Sequence, residues 1–182
     1  LAILNALPAA GADVIELGVP FSDPLADGPV IQASSQRALE QGMTFDGVLQ
    51  LAFEAKVDVP LVLFSYLNPI VAAGSTALTR AAASGIHGLL ITDLPVGGDP
   101  GLEREIGESP LSFIRLVAPT TPAARMAEIE THGSGFVYLI SPLGVPRMQR
   151  AIPSRLAETI EPLPLRTPLP GCLESGLPTP EQ

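Results

Sequence analysis

Five short apolar runs, separated by segments of helical character, constrain the fold of this 182-residue chain most strongly. They are residues 14–17, 59–66, 88–93, 111–118 and 135–141. Near-continuous apolar runs of this length are typical of strands that are covered on both faces. They recur at intervals of roughly 25 to 45 residues, which leaves room for a helix between consecutive strands. The pattern therefore predicts repeated βα units and a parallel sheet.

Two α/β architectures fit this repetition. Right-handed crossovers that all turn the same way curl a parallel sheet toward a (β/α)8 TIM barrel. A doubly wound open sheet is the alternative, but no strand is followed by a G-x-G-x-x-G turn. A barrel has its active site at the carboxyl ends of the strands. Polar side chains recur at those ends here, namely Glu16, Tyr66, Asn68, Asp93 and Ser141.

The segments between the strands predict helices and a change of character late in the chain. Helices are expected over residues 1–10, 28–41, 45–53, 76–84, 99–107 and 122–132. Pro8 is awkward inside the first of these, because proline lacks an N–H. Residues 142–182 hold nine of the 20 prolines. We therefore divide the chain into a partial barrel over residues 1–141 and a divergent, proline-rich continuation of the same domain over residues 142–182.

Composition excludes several classes of function. A net charge of −9 argues against nucleic-acid binding, and an apolar content of 46% suffices for a sizeable core. No apolar stretch has the length of a membrane span, and no signal peptide is visible. The single cysteine, Cys172, excludes an internal disulfide and is compatible with the cytoplasm. His87 and His132 form no metal-ligand cluster and are interpreted as structural, so we expect a cytoplasmic protein without a metal.

Two further features concern phosphate binding and the extent of the chain. Lys56 is the only lysine, so a phosphate group would be held mainly by backbone amides at a helix N-terminus. The chain starts at Leu1 rather than at methionine, and we expect it to be a fragment.

Two carboxylates flank a loop rich in proline and glycine that follows the first apolar run. Glu16 interrupts that run, where a carboxylate is costly unless it is paired, hydrogen-bonded or protonated. Asp27 comes before Gly28-Pro29, at the expected start of a helix. Carboxylates in different environments can divide acid and base roles between them. Two structural alternatives stay open, namely that Asp27 caps the helix and that Glu16 belongs to a buried ion pair.

The fourteen residues from Glu16 to Pro29, ELGVPFSDPLADGP, resemble the signature of the tryptophan synthase alpha subunit. The resemblance extends from about Leu1 to Ser141 and covers the second to sixth strands of that family. It implies a partial barrel in which the first and eighth strands are missing and the seventh is doubtful. It also implies a lyase of L-tryptophan biosynthesis. The family cleaves indole-3-glycerol phosphate to indole and glyceraldehyde 3-phosphate by a retro-aldol reaction.

The resemblance assigns roles to residues at matching positions. It makes Glu16 the general acid and base, Asp27 its partner, and Tyr138 an active-site residue that helps to position the glutamate. The substrate-binding positions that match are Phe64 and Tyr66 in the indole pocket, with Gly144 and Gly176 in the phosphate loops. The positions that match the surface facing the beta subunit are Asp23, Pro24 and Asn68. The family forms a complex of two alpha and two beta chains, with pyridoxal phosphate only in beta, so no cofactor is expected in this chain.

The family pattern breaks after Ser141. Pro146 replaces a threonine that helps to close a loop over the substrate, and Arg147 replaces a glycine used at the phosphate. Glu174 brings a negative charge to the other phosphate turn. The seventh strand should lie at 163–170, but prolines interrupt it. We therefore expect weak or no turnover by this chain. The alternatives are a non-catalytic remnant that only docks on a beta subunit, and another phosphate-binding barrel enzyme.

Overall fold

The computed structural model describes residues 1–118, 120–140 and 169–173. Its strands are β1 (Ile15–Gly18), β2 (Leu61–Ser65), β3 (Ile86–Ile91), β4 (Ser112–Val117), β5 (Val137–Leu139) and β6 (Gly171–Leu173). Its helices are α1 (Ala2–Ala6), α2 (Pro29–Glu40), α3 (Phe45–Glu54), α4 (Leu67–Ala72), α5 (Ala77–Ala83), α6 (Pro100–Glu108) and α7 (Ala123–Thr131). A 3₁₀ turn at Pro8–Ala10 follows α1. The chain divides into two compact units, Leu1–Phe113 and Ile114–Gln182.

The first unit is a parallel sheet in the order β1-β2-β3 with helices packed on it. Ile15, Leu63 and Leu89 lie on the face that packs against the helices, in one buried apolar cluster. Side chains alternate between the faces of a strand, so Glu16 and its partner in the register, Val62, lie on the opposite face. Glu16 is consequently held apart from the helix-covered core.

Arg80 on α5 links two of the helices that cover this sheet. Its guanidinium pairs with Asp46 and donates to the carbonyl oxygen of Ala73 at 2.8 Å. It also lies over the ring of Phe45, with its central carbon 5.6 Å from the ring centroid. These contacts stabilise the packing of α3 beside α5 through a cation–π contact as well as through charge.

The second unit repeats the parallel pattern. Strand β5 pairs in parallel with β4 on one side and with β6 on the other. Val137 and Val117 are fully buried, and Met126 from α7 is buried as well. The buried Arg115 on β4 donates through Nε to the carbonyl oxygen of His132 at 3.0 Å, which ties the strand to the end of α7.

Parallel strands alternating with helices confirm the α/β class, and the five predicted strands are all present. Two predictions about helices were wrong. The helix expected over 1–10 breaks after Ala6, because Pro8 cannot donate the hydrogen bond that would continue it. The stretch around Asn68, where the sequence predicts no helix, begins α4, since proline is tolerated in the first turn of a helix.

The prediction of a seventh strand at 163–170 is only partly covered by the described residues. Residues 163–168 lie outside the described part, and the strand β6 begins at Gly171, just after Pro170. Pro170 contributes its carbonyl oxygen, which accepts from the Val137 N–H at 2.9 Å. A proline at the entrance to a strand needs no N–H for the ladder, which is why pairing starts after it. The predicted domain boundary at Ser141 also falls outside the described residues, so the assignment of one domain stays a prediction.

Candidate active site

Glu16 lies in the middle of β1, and its side chain is exposed. The expectation of a carboxylate inside a strand covered on both faces was wrong for this position. The helices cover the other face of β1, where Ile15 is buried, and they leave the Glu16 side open. The alternative of a buried ion pair is contradicted as to burial, because the Glu16 side chain is exposed. An exposed carboxylate on the open face of a strand can reach a ligand in front of the sheet.

The loop after β1 is fixed by main-chain hydrogen bonds to β2 and within itself. Val19 continues the strand pairing by donating its N–H to the carbonyl oxygen of Phe64 at 2.8 Å. A tight turn follows, in which the Leu25 N–H donates to Asp23 and the Asp27 N–H donates to Pro24 at 3.0 Å. These bonds bring Asp27 back toward the sheet after the chain has left β1.

The carboxylate of Asp27 accepts a hydrogen bond from the Tyr66 hydroxyl, with 3.0 Å between the two oxygens. Asp27 does not cap the following helix. The N-cap of α2 is Gly28, and no side chain caps the helix there. The capping alternative is therefore wrong, and the half-buried carboxylate faces a side chain from the end of β2 instead.

Tyr66 is the most constrained side chain of this group. It is only 5% exposed, and its ring lies 5.3 Å from that of Phe21, centroid to centroid. Its hydroxyl oxygen accepts the Ala26 N–H at 2.9 Å while donating to Asp27. Burial, followed by smaller effects that include the Asp27 carboxylate, raises the pKa of Tyr66 from 10.0 to about 12. The phenol is thus protonated at all physiological pH values.

Asp93, from the loop after β3, holds the start of α4. Its Oδ1 accepts the N–H of Leu67 at 2.7 Å, and Leu67 is the residue after Tyr66. The first N–H groups of a helix have no partner within the helix, so this carboxylate satisfies one of them. The prediction that polar side chains gather where these strands end is confirmed for Tyr66 and Asp93.

The remaining predicted site residues are distributed over both units. Phe64 on β2 is half-buried and lies opposite Gly18 in the register, on the same face of the sheet as Glu16. Tyr138 is buried in β5 of the second unit, with its ring 6.5 Å from that of Phe136. Gly144 and Gly176 lie outside the described residues.

The three residues predicted to face a partner lie on the surface of the first unit. Asp23 is exposed and accepts a hydrogen bond from the Ser22 hydroxyl at 2.5 Å. Pro24 is half-buried, and Asn68 is exposed on the first turn of α4. Leu25, which the sequence analysis did not single out, is 92% exposed between Pro24 and the carboxylate loop. In the sequence, the only sign of this position is an apolar leucine in a polar loop, two residues after Asp23.

The two histidines make structural contacts. His87 accepts the Leu61 N–H at 3.3 Å through Nδ1, and the Nδ1 of His132 lies 2.8 Å from the carbonyl oxygen of Glu128. Among residues 1–118, 120–140 and 169–173, no cluster of three or more His, Cys, Asp or Glu side chains could hold a metal ion. None of the helices in the described part of the chain is long and apolar enough to cross a membrane.

The residues that connect Asp27 to the sheet do not stand out in the sequence. Phe21 and Ala26 both lie within the fourteen-residue signature, but their partner Tyr66 is far away in the sequence. Phe21 is an aromatic residue in a polar, proline-rich loop, which indicates only weakly that its ring packs against another part of the protein. No local pattern indicates which distant hydroxyl accepts the Ala26 N–H.

Comparison with known sequences decides the family. A family profile described as tryptophan synthase alpha chain matches residues 1–182. This chain belongs to the tryptophan synthase alpha chain family. A relative with that name from Gluconacetobacter diazotrophicus is 45% identical over 186 residues, covering 100% of this chain and 68% of the relative. One from Caulobacter vibrioides is 43% identical with the same coverage.

Solved structures of the family agree with the fold. Tryptophan synthase subunit alpha from Legionella pneumophila matches with a TM-score of 0.88 at 34% identity, over 99% of this chain and 68% of that chain. A tryptophan synthase complex from Pyrococcus furiosus matches with a TM-score of 0.82 at 34% identity, over 99% of this chain and 74% of that one. The partial TIM-barrel fold is thereby confirmed.

Membership of the tryptophan synthase alpha family also confirms the predicted class of function. The family is a lyase of tryptophan biosynthesis that cleaves indole-3-glycerol phosphate. This family membership disfavours the alternative that the chain is a different phosphate-binding barrel enzyme.

Proposed function

We propose that Glu16 and Asp27 form the acid–base pair of an alpha-subunit active site in this protein. The observation that carries the proposal is the placement of Asp27. Its carboxylate is withdrawn from the helix it precedes and is directed by Tyr66, while Glu16 projects from the open face of the adjacent strand. One carboxylate is thus exposed and the other is partly enclosed by a buried phenol. Such a difference in environment supports different roles for the two groups.

The retro-aldol reaction divides naturally between these groups. Glu16 delivers a proton to the ring carbon of indole that carries the glycerol phosphate. Positive charge then develops at the ring nitrogen, and Asp27 stabilises it through the N–H. The carbon–carbon bond breaks, its electron pair returns to the ring, and the neighbouring hydroxyl loses its proton to become the aldehyde. Glu16 takes up the proton that this hydroxyl loses and is thereby restored for the next turnover, and the family resemblance gives Tyr138 the positioning role.

The substrate is held by apolar and backbone groups in this proposal. Phe64 and Tyr66 supply flat surfaces for the indole ring, and Phe64 shares the sheet face of Glu16. Gly144 and Gly176 contribute backbone amides to the phosphate, in keeping with a chain that has one lysine and a charge of −9. The chemistry requires no metal or organic cofactor in this chain, and the proposed location is the cytoplasm.

The proposed partner is a tryptophan synthase beta subunit, with two alpha and two beta chains in the complex. Pyridoxal phosphate would be bound only by beta. Asp23, Pro24 and Asn68 form the proposed docking surface, and the exposed Leu25 adds an apolar contact next to it. The Pyrococcus furiosus neighbour, whose structure is described as that of a tryptophan synthase complex, supports an association of this type.

A second candidate function is docking without catalysis. Pro146, Arg147 and Glu174 depart from the family pattern at the two phosphate loops, whereas the docking residues match. A chain of this kind would bind a beta subunit and leave the substrate uncleaved. The two candidates differ in turnover and agree on association.

The experiment that tests the proposed active site uses a repaired chain. The repaired chain joins residues 1–141 of this protein to all parts of the Gluconacetobacter diazotrophicus relative that those residues do not match. We expect it to release indole from indole-3-glycerol phosphate, because it combines both carboxylates with intact phosphate loops. Indole release is followed with and without a beta subunit. A folded repaired chain that releases no indole would contradict the assignment of residues 1–141 to this active site.

The docking surface makes a separate prediction about association. Asp23→Lys is expected to weaken binding of the 182-residue chain to a beta subunit by about tenfold, because it reverses a charge in the interface. Glu54→Lys is the matched control, since it makes the same charge change at an exposed position of α3. Both affinities are measured by titration calorimetry. Equal weakening by the two substitutions would contradict the proposed surface.

A further inference from the structure

We propose that Tyr66 is a positioning residue that fixes the Asp27 carboxylate and the loop carrying it. This inference rests on the proposed function for its catalytic meaning, but its structural part can be tested without turnover. It gives Tyr66 a role beyond that of a wall of the indole pocket. The role requires the hydroxyl specifically, whereas a wall requires only the ring.

The hydroxyl forms a two-sided bridge to consecutive residues of the loop. It accepts from the Ala26 N–H at 2.9 Å and donates to Asp27 Oδ2 at 3.0 Å. One bond holds the main chain just before the aspartate, and the other sets the direction of its side chain. A neutral phenol can make both bonds because it is donor and acceptor at once. Ionisation of the phenol or its replacement by phenylalanine would remove the donor.

Hydrogen bonds at the ends of β2 and β3 hold the main chain around Tyr66, so the hydroxyl that bridges the loop is attached to a fixed part of the sheet. The Ser65 hydroxyl donates to the Tyr66 carbonyl oxygen at 2.8 Å, and Asp93 accepts the N–H of the next residue, Leu67, at 2.7 Å. The Thr92 N–H donates to the Ser65 carbonyl oxygen at 2.9 Å. The ends of β2 and β3 therefore fix the ring, and the ring fixes the loop. A carboxylate that is already fixed before the substrate binds loses less conformational entropy on binding.

Amide hydrogen exchange of Ala26 in the 182-residue chain tests the bridge directly. In Tyr66→Phe the ring can still pack against Phe21, but the Ala26 N–H loses its acceptor. We expect its exchange to become about tenfold faster, as for the loss of one hydrogen bond of ordinary strength. Asp23→Asn is the control, because it changes a polar side chain of the same loop whose hydrogen bond is with Ser22 and not with Tyr66. Unchanged exchange of Ala26 in a folded Tyr66→Phe chain would overturn the proposal.

A titration provides a second test that keeps Tyr66 and so does not depend on the folding of Tyr66→Phe. The chain has two tyrosines and no tryptophan, so in Tyr138→Phe the ultraviolet absorbance of tyrosinate reports Tyr66 alone. Asp27→Asn in that background should lower the pKa of Tyr66 from about 12, because the carboxylate raises it through a hydrogen bond and through charge. It should stay above the ordinary value, since burial is the largest cause. If the pKa of Tyr66 is the same with and without Asp27→Asn, the contact between the two side chains is contradicted.

Kinetics of the repaired chain separate a positioning role from a purely structural one. If Tyr66 acts through Asp27, Tyr66→Phe lowers kcat in the parent but has no further effect in an Asp27→Asn background. Equal losses in both backgrounds would show that Tyr66 does not act through Asp27. If the repaired chain is inactive, the proposed function fails, and the exchange of Ala26 still decides whether Tyr66 holds the loop.

Discussion

Glu16→Gln in the repaired chain is expected to lower the rate of indole-3-glycerol phosphate cleavage by about 10² to 10⁴-fold, the usual contribution of general acid–base catalysis. Glutamine has almost the same shape but cannot deliver or accept a proton at the indole carbon. Because Glu16 is exposed on the open face of β1, the substitution leaves the buried core of the sheet untouched. The loss should therefore appear in kcat, with little change in the free energy of unfolding.

The measurement is indole release under saturating substrate, together with thermal unfolding of each variant. Glu40→Gln is the control, since it makes the same chemical change at an exposed position of α2. We expect the control to keep the parental rate. A Glu16→Gln enzyme that cleaves at nearly the parental rate would remove Glu16 from the mechanism.

The second large effect concerns the 182-residue chain itself. We expect it to release indole at less than about one tenth of the rate of the repaired chain. This factor corresponds to a rise of more than about 1.4 kcal/mol in the activation free energy. Three features of the sequence contribute. The chain spans 68% of the Gluconacetobacter diazotrophicus relative. Pro146 lacks the hydroxyl and the N–H with which the family's threonine helps to close a loop over the substrate. Glu174 matches the other phosphate turn of the family, where its charge would repel a phosphate, and binding energy at that remote group would otherwise help to hold the indole against Glu16.

Exchange of single segments identifies which feature is responsible. Residues 142–182 of this chain are placed into the repaired chain, and indole release is measured again. We expect most of the activity to be lost, because both phosphate loops then carry the divergent residues. Pro146→Thr and Glu174→Gly in the same background should each recover part of it. Indole release by the 182-residue chain within about tenfold of the repaired chain would show that its own tail supports catalysis.

The prediction of the sheet from sequence succeeded because its signal is local. The residues of β2 and β3 are apolar on both faces, and such runs favour a strand in any surroundings that bury them. The same holds for α3, where Thr44 caps the helix and accepts the Gly47 N–H at 3.1 Å. The errors in the bounds of helices and strands arose at prolines. Pro8 divided a helix, Pro69 was accommodated in one, and Pro170 preceded a strand, because the effect of proline depends on which N–H the structure needs.

The sequence by itself determined the repeated βα units, the family signature and the two carboxylates within it. Only the tertiary structure decided what surrounds those carboxylates. Asp27 contacts Tyr66, 39 residues away, because the adjacent parallel strands β1 and β2 bring their carboxyl ends to the same edge of the sheet. Glu16 is exposed because the helices cover the opposite face of β1. Periodicity and motif are properties of neighbouring residues, whereas a hydrogen bond between distant side chains depends on strand register and on which face is covered.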